Sequence, residues 1–476
     1  MRATAAAAAI RERAAAAIAA DEHQRACVDA HLLAAADALA AACLDSGPAE
    51  RRAGLVALFA GVIEPLNDGF ARIGRRVSTR VMARVIWRCA EQDPDLAAGL
   101  AAHNLHNEAQ LLARHARLRS ADAPITIEPQ RIAVLSRVTL GADILLTSVV
   151  IQWLHQRWPQ AQIVLFGAAK LAALFAGLPA LRVHPLSYER RGDLRERLHA
   201  WRSLQHAIAD EDIDLLVNPD SRLDQLGLLP LIAEERTALW EHGLEAGAAV
   251  ISLAAACDAW CERRFAAPGA SCLPRLWPDA TTERWRTALC AALGPAPLVA
   301  VKLDHGGNPA KALPRAAEVR LLAELRKRGW RIVLDRGFGA EELANSDALL
   351  AAAGLVALDV VEDPGQAGGR AWNALEPGEL ATAPVVRLHG SIGFWAAAVA
   401  GCRLALAYDS VGHHLAAALG VPVVVAFTGY AQPEFPVAWQ PRGPASVELV
   451  CIASSEREQP RAWQALFAAI PHAPGG

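Results

Sequence analysis

At residues 404–429 the sequence reads LALAYDSVGHHLAAALGVPVVVAFTG. LALAY and PVVVAF are apolar runs of strand length, and the segment between them has the length and spacing of a short helix. Gly420 and Pro422 separate that helix from the second run. A strand, a helix and a second strand in close succession predict parallel strands of an α/β sheet.

The end of the first run carries polar groups. Asp409 ends the strand, and Ser410–Gly412 lead into the helix. Ligands of α/β sheets bind at the carboxyl ends of the strands. A carboxylate, a hydroxyl and free backbone N–H groups at this edge predict a site for a hydroxylated ring and its diphosphate, with a capped helix start as the alternative. The adjacent His413 and His414 point in different directions, so neither is assigned as a metal ligand.

The same alternation of strands and helices extends along most of the chain, in two sets. A Pro/Gly-rich stretch at 265–283 lies between the sets and is interpreted as a linker. Two α/β lobes are therefore expected, with a cleft at the carboxyl ends of both sheets. The strand-like runs are 131–138, 162–167, 181–186 and 214–220 in the first set, and 298–304, 331–337, 385–390, 404–410 and 422–429 in the second.

Residues 1–125 have a different character. Ala, Leu and Arg dominate, and no alternating run rich in β-branched residues occurs, so the region is predicted to be helical. It is expected to act as a packed helical bundle or as a docking surface. The predicted organisation is a helical region at 1–125, a first lobe at 126–280, a second lobe at 281–455, and a helix at 456–476 packing back on the first lobe.

Composition limits the classes of function. With 476 residues, 53% apolar residues and 20% charged residues, the chain is globular and large enough for about three domains. Its net charge of −3 argues against a nucleic-acid binder with a broadly basic surface. No transmembrane run or signal peptide is expected, and the nine scattered cysteines favour a reducing cytoplasm. In the cluster Cys257, Cys261 and Cys272, buried apolar cysteines are favoured over a metal site.

Three further segments carry candidate chemistry. Asp143 would begin the helix after the first strand, either as a general base or as a simple cap. In VKLDHGGNPAKALP (301–314), a Gly-Gly turn and Lys311 precede a helix, which suits a phosphate, although an ordinary loop is the alternative. Arg222, after the strand-like run at 214–220, would clamp an anionic group or belong to a structural turn. Only four lysines occur in the chain, and two of them lie close together at 302 and 311.

These motifs resemble glycosyltransferase family 9, typified by ADP-heptose–lipopolysaccharide heptosyltransferases, over residues 131–441. The first turn of that family reads Arg-x-Gly-x-x-Gly-Asp. Here Arg137 and Asp143 keep that spacing, while Ala142 replaces the second glycine and Gly141 lies one place earlier.

The other two motifs follow in the order of the family. Lys311–Pro314 matches Lys-x-Trp-Pro except for the tryptophan. The last motif resembles Asp-Ser-Gly-x-x-His-Leu-Ala-Ala-Ala-Leu-Gly-Val-Pro, which Asp409-Ser410 and His414–Pro422 match. Val411 replaces its first glycine, and Gly412 lies one place later.

The resemblance implies a GT-B fold and a role for each matching residue. Asp143 looks like the general base, and Arg137 and Arg222 would lie on the acceptor side. Glu341 is placed like the ribose-binding carboxylate of the family, with Glu342 as the near alternative. No metal and no cofactor are implied, because lysine and helix dipoles meet the diphosphate. The donor-binding residues would be Lys311, Glu341, Asp409, Ser410, Val411, Gly412 and His414.

The function expected from this resemblance is inverting transfer of a sugar, heptose by family default, from a nucleoside-diphosphate donor. The acceptor would be a glycan, a lipopolysaccharide or other lipid-linked glycan, or a protein. Peripheral contact with the inner membrane is a further expectation, and no nucleic-acid partner is expected. One alternative is a non-catalytic GT-B scaffold that works through its helical N-terminal region. Another is a different GT-B chemistry, such as epimerisation of a nucleotide sugar.

Overall fold

The computed structural model describes residues 2–20, 29–45, 47–68, 71–188, 193–242, 249–266, 271–306, 308–337, 339–363, 365, 368–430 and 432–474. The chain divides into two compact units. The first unit contains Met1–Thr139, Val150–Ala169 and Arg182–Ser271. The second unit contains Leu140–Val149, Lys170–Leu181 and Cys272–Gly476.

The N-terminal region is helical, as predicted. Three of its helices are capped at their starts by the side chains of Asp29, Asp93 and Asn107, whose oxygens accept backbone N–H groups. A π-helical turn at Phe59–Ile63 follows the third helix. The helices are α1 (Arg2–Ala20), α2 (Ala30–Cys43), α3 (Pro48–Leu58), α4 (Glu64–Asp68), α5 (Arg72–Ala90), α6 (Pro94–Ala101) and α7 (Glu108–Ser120).

The first unit has a five-stranded sheet in the order β3-β2-β1-β4-β5. The ladders that join β2, β1, β4 and β5 are parallel, and Val134 pairs with both Leu165 and Val217. The sheet shares one hydrophobic core with the N-terminal helices, since Leu135 and Phe166 belong to the same buried cluster as side chains from α2 to α7. The strands are β1 (Arg131–Leu135), β2 (Gln162–Gly167), β3 (Leu181–Pro185), β4 (Leu215–Asn218) and β5 (Thr237–Leu239).

The helices that follow these strands match the predicted alternation. Helix α8 contains Leu140–Ala142 and Ser148–Arg157, joined by a π-helical turn at Asp143–Thr147. The others are α9 (Ala172–Phe175), α10 (Leu194–Asp210) and α11 (Leu253–Phe265). Part of the predicted linker, 267–270, lies outside the described residues, and 271–279 contains no helix or strand.

The second unit has an eight-stranded sheet in the order β13-β12-β11-β6-β7-β10-β8-β9, and all its ladders are parallel. From β6 the chain moves to β7 on one side, and later returns to place β11 on the other side. The strands are β6 (Leu298–Lys302), β7 (Arg331–Asp335), β8 (Leu358–Val361), β9 (Arg370–Ala371), β10 (Val385–His389), β11 (Leu404–Tyr408), β12 (Val423–Phe427) and β13 (Val447–Cys451).

Helices precede, connect and follow these strands. They are α12 (Ala280–Leu293), α13 (Arg315–Lys327), α14 (Ala340–Ala353), α15 (Ile392–Val399), α16 (Val411–Ala418), α17 (Phe435–Ala438) and α18 (Trp463–Ala469). No helix among the described residues is long and apolar enough to cross a membrane.

The position predicted for the last helix was wrong. It was expected at 456–476 against the first lobe, whereas α18 packs on the second sheet. Trp463, Leu466 and Phe467 form an apolar stripe that is buried in the same core as Leu321 of α13 and Val450 of β13. The stripe faces α13 and the edge of the sheet, so the last helix packs within the second unit.

Candidate functional site

Strands β6 and β11 are neighbours in the second sheet. After β6 the chain adds β7 on one side, and after β11 it adds β12 on the other side, so the strand order reverses between them. Such a switch point leaves a crevice outside the carboxyl ends of the strands, where α/β proteins bind ligands. Lys302 ends β6 and Asp409 follows β11. The topology thus brings together residues about a hundred positions apart in the sequence.

Lys302 is buried at this crevice. Its ammonium forms an ion pair with Asp335 at the end of the neighbouring β7, and lies 3.8 Å from Oδ2 of Asp304. Burial disfavours the charged form, but the carboxylates of Asp335 and Asp304 outweigh it and raise the pKa of Lys302. Lys302 is therefore a fixed positive charge at the carboxyl end of β6, beside Gly412.

Lys311 and Asp409 form the second ion pair of the crevice. Nζ of Lys311 lies 2.5 Å from Oδ2 of Asp409 and donates to its backbone carbonyl at 3.3 Å. The ammonium also lies 5.8 Å from the centre of the Phe435 ring, within cation–π range. Two residues that the sequence assigned to donor binding are thus in direct contact.

The start of α16 has the predicted cap. Oγ of Ser410 accepts the N–H of Gly412 at 3.4 Å, and Nδ1 of His413 accepts the N–H of Ser410 at 3.1 Å. Ser410 and Val411 are half-buried, so the first turn borders the surface of the unit. Its remaining N–H groups and the positive end of the helix suit an anion.

The two displaced glycines of the sequence motifs are explained by close contacts. A Cβ at Gly412 would lie 2.9 Å from Cδ of Lys302, whose ammonium is held by Asp335. A Cβ at Gly141 would lie 3.0 Å from Cδ2 of His414. A side chain at 412 would therefore press on the buried Lys302, and one at 141 would require the buried His414 to shift by a few tenths of an ångström.

Asp143 lies in the same compact unit as α16, because the first turns of α8 pack against that helix. Its carboxylate is buried, with 1% of its surface exposed, and Oδ1 accepts the hydroxyl of Thr147 at 2.8 Å. His414 is also buried. Burial, then the neighbouring His413 and Lys311, hold the pKa of His414 well below its usual value, so its imidazole is neutral at pH 7.

A cavity of about 160 Å³ lies at the carboxyl ends of β6 and β7, bordered by the starts of α13 and α14. Glu342 lines it, whereas Glu341, the first choice for a ribose-binding carboxylate, is exposed and is not among the lining residues. Glu318 also lines it and accepts the hydroxyl of Tyr408 at 2.8 Å. Burial raises the pKa of Glu318, against the effects of that hydrogen bond and of Arg315.

Sequence reasoning missed Lys302, Asp335 and Glu318. Lys302 and Asp335 each lie in a strand-like run of the sequence, but only the observed register, which pairs Val301 with Leu334, shows that they are neighbours. No pattern in the sequence placed Glu318, in the first turn of α13, beside Tyr408.

The first sheet gathers charges at the carboxyl ends of β1, β4 and β5. Arg137 lies 3.3 Å from Oδ2 of Asp220, which also pairs with Arg75 of α5 and lies 3.2 Å from Nδ1 of His242. Burial would raise the pKa of Asp220, but Arg75 and Arg137 lower it strongly. Arg222 has another partner, since it lies 2.9 Å from Oε1 of Glu64. The two predicted acceptor residues thus make separate contacts.

The cysteine cluster has an apolar setting. Cys257, Cys261 and Cys272 are all buried. Among the residues that the structure describes, no group of three or more His, Cys, Asp or Glu side chains is arranged to hold a metal ion.

Comparisons with known proteins bear on the fold. No family model and no curated protein sequence matches the chain. A solved family 9 glycosyl transferase from Veillonella parvula is similar at 15% identity and a TM-score of 0.51, over 73% of this chain and 98% of that one. E. coli ADP-heptose LPS heptosyltransferase II is similar at 18% identity and 0.46, over 71% and 98%. E. coli heptosyltransferase WaaC with ADP is similar at 17% and 0.47, over the same shares.

The likeness to the Veillonella protein concerns the fold. Both parallel sheets, their connecting helices and the crevice at β6 and β11 fit the GT-B architecture that the motifs predict. The chain therefore has the GT-B fold of family 9 glycosyltransferases, preceded in the sequence by a helical N-terminal region.

Proposed function

We propose that this protein is an inverting glycosyltransferase that uses a nucleoside-diphosphate sugar. The observation that carries the proposal is the Lys311–Asp409 pair at the switch point of the second sheet, beside the first turn of α16. A cation, free backbone N–H groups and a carboxylate at one edge match the diphosphate and the hydroxyl groups of such a donor.

The donor is proposed to lie across this crevice. The nucleoside enters the cavity at β6 and β7, where Glu342 accepts ribose hydroxyls. The diphosphate displaces Asp409 from Lys311 and takes up the N–H groups of the first turn of α16. Asp409, released from the lysine, binds hydroxyls of the sugar. Buried Lys302 adds a second positive charge beneath Gly412.

The reaction is proposed as a single displacement. Asp143 accepts the proton of an acceptor hydroxyl, and the oxygen attacks the anomeric carbon from the face opposite the diphosphate. The bond between that carbon and the diphosphate oxygen breaks, and Lys311 stabilises the charge on the leaving group. Because Asp143 is buried, the acceptor must gain access to it through a rearrangement of the first turns of α8.

The sugar and the acceptor are proposed from the motif resemblance. ADP-heptose is the expected donor, and a glycan, a lipid-linked glycan or a protein is the expected acceptor. Lys311 and the dipole of α16 supply the charge that a divalent cation supplies in other transferases, so donor binding is expected to persist in EDTA.

The test is a thermal-shift series of the full chain with ADP, GDP, UDP, CDP and dTDP, followed by a transfer assay with the matching sugar nucleotide. A ligand at about 100 times its dissociation constant adds about 2.7 kcal/mol to the unfolding free energy, which is readily measured. Stabilisation by one nucleotide, with release of that nucleotide on transfer, is expected. No shift with any of the five would contradict a donor site.

The burial of Asp143 favours a second candidate, a non-catalytic scaffold with the same fold. Under that function a nucleotide would bind without turnover. Mass spectrometry of the sugar nucleotide after incubation with candidate acceptors separates the two, because the transferase consumes the donor and the scaffold returns it intact.

A further inference from the structure

A second polar cavity lies within the first unit and is lined by none of the residues of the proposed donor site. It measures about 260 Å³ and is formed by α3 with its π-helical turn, by α10 and by the turn after β4. The side chains that define its character are Arg52, Arg197, Arg222, Glu64, Phe59 and Val56.

The charge of this cavity is unbalanced. Three guanidinium groups face one carboxylate, that of Glu64, which lies 2.9 Å from Arg222. Arg197 is 6% exposed, and its guanidinium stacks 4.3 Å from the centre of the Phe59 ring. Burial lowers the pKa of Arg197, and the charge of Arg222 lowers it further, against opposing effects of Tyr188 and Glu64. Accumulated positive charge of this kind is stabilised by an anion.

The backbone at the cavity is also unusual. Phe59 begins the π-helical turn Phe59–Ile63, which interrupts the run of helix between α3 and α4. Such turns occur frequently at functional sites. Here the turn places the Phe59 ring under Arg197 and starts α4 so that Glu64 reaches Arg222.

We infer that this cavity is a binding site for a phosphate group, carried by a free phosphoester or by a lipid headgroup. The planar forks of Arg52 and Arg222 match two oxygens of a phosphate, and Phe59 and Val56 offer apolar contacts to the group that bears it. Glu64 occupies Arg222 as an internal competitor, which the phosphate displaces. The inference does not depend on sugar transfer.

The test is calorimetric titration with inorganic phosphate at constant ionic strength, in full-length Lys311→Ala protein so that the donor site contributes little. We expect one site, which Arg222→Gln weakens at least 10-fold. Glu64→Gln should strengthen binding several-fold, and a misfolded variant would not produce that gain. Arg286→Gln, which removes an exposed arginine of the second unit, is the matched control and should leave binding unchanged.

A parallel sedimentation assay uses phosphatidic acid vesicles and phosphatidylcholine vesicles. Binding to the acidic vesicles that Arg222→Gln abolishes supports the site and assigns the phosphate to a headgroup. Phosphate binding in solution without vesicle binding supports it and assigns a free phosphoester. The inference is overturned if neither probe binds, or if Arg222→Gln and Glu64→Gln both bind like the parent protein.

Discussion

Lys311 places its ammonium where the proposed diphosphate would bind, and its only neighbours of opposite charge among the described contacts are atoms of Asp409. Lys311→Ala should weaken ADP by about 1.5–3 kcal/mol, the range for bonds to charged groups, or about 10- to 150-fold. Adenosine, which has no phosphate, should lose little affinity. Calorimetry with both ligands measures the difference. Lys327→Ala, at an exposed lysine, is the control, and equal losses for both ligands would indicate a folding defect.

Asp143 is buried, and its carboxylate accepts a hydrogen bond from the hydroxyl of Thr147. Asp143→Asn preserves the shape and removes the basicity, so it should lower the rate of transfer by about 10²–10⁴-fold. Nucleotide affinity should stay near that of the parent. Single-turnover transfer and nucleotide titration measure the two effects, with the exposed Asp95→Asn as control. Near-normal turnover would remove Asp143 as the base.

A substitution at Gly412 tests whether the contact with Lys302 requires glycine at this position of the last motif. Gly412→Ala would bring a methyl group to 2.9 Å from Cδ of a lysine that Asp335 holds in place. The clash should lower the unfolding free energy by about 1–3 kcal/mol. Gly339→Ala meets no atom within 4 Å at a φ of −91°, and should cost less than about 1 kcal/mol. Urea denaturation measures the unfolding free energy of both variants. Equal losses would show that the contact with Lys302 does not restrict position 412 to glycine.

At the scale of elements, α2 and α5 are joined by a charge cluster. Asp37 of α2 accepts hydrogen bonds from Arg84 and Arg88 of α5. Burial would raise the pKa of Asp37, but the two arginines lower it from 3.8 to about 2. The folded pKa is depressed, so this stabilisation is present above pH 3.8 and is lost as the pH falls towards 2.

The consequence is a pH-dependent difference between two proteins. Asp37→Asn should lower the unfolding free energy by about 1 kcal/mol at pH 6, after allowance for solvent screening, and the difference should shrink between pH 4 and pH 3. Urea titrations of both proteins at each pH provide the measurement. A difference that stays constant down to pH 3 would show that the carboxylate charge does not couple the helices.

Apart from β3, which is half-buried to exposed over most of its length, the strands that the sequence predicted have apolar runs buried on both faces, such as β1, β6 and β11. The missed strands lack that signal. Strand β5 has three residues, and β13 alternates half-buried and exposed positions at the edge of the sheet. Such segments become strands because a neighbouring strand supplies hydrogen bonds, which composition alone does not show.

For the whole molecule, the question is whether the N-terminal helices can be removed. They share a hydrophobic core with the first sheet, and Arg75 of α5 pairs with Asp220 after β4. A chain that lacks residues 1–120 should therefore lose the cooperative unfolding of the first unit, because it exposes that core and removes Arg75, one of the buried partners of Asp220. Calorimetry and limited proteolysis test this. A truncated chain with the parent's transition would make the helical region a separate attachment.

The two units also differ in how well the sequence predicted which charged residues lie together. Within the second unit, linear motifs identified Lys311, Asp409 and Ser410, because one short loop and one strand end hold them. In the first unit the motif gave Arg137 but paired it with Arg222. Asp220, which pairs with Arg137 after β4, also contacts Arg75 of α5 and His242 after β5, and no local pattern connects these elements.

Because the chain has only four lysines, chemical modification of Lys311 can report whether the donor crevice is occupied. An amine-acylating reagent would modify Lys170 and Lys327, which are exposed, in every state of the protein. Lys302 is protected from the reagent, because its side chain packs against Gly412 and its ammonium pairs with Asp335. Lys311 is half-buried, so it can be acylated where no donor covers it. The mass shift of its peptide, measured relative to the peptides of Lys170 and Lys327, would give the fraction of occupied donor sites in a cell extract without any engineered label.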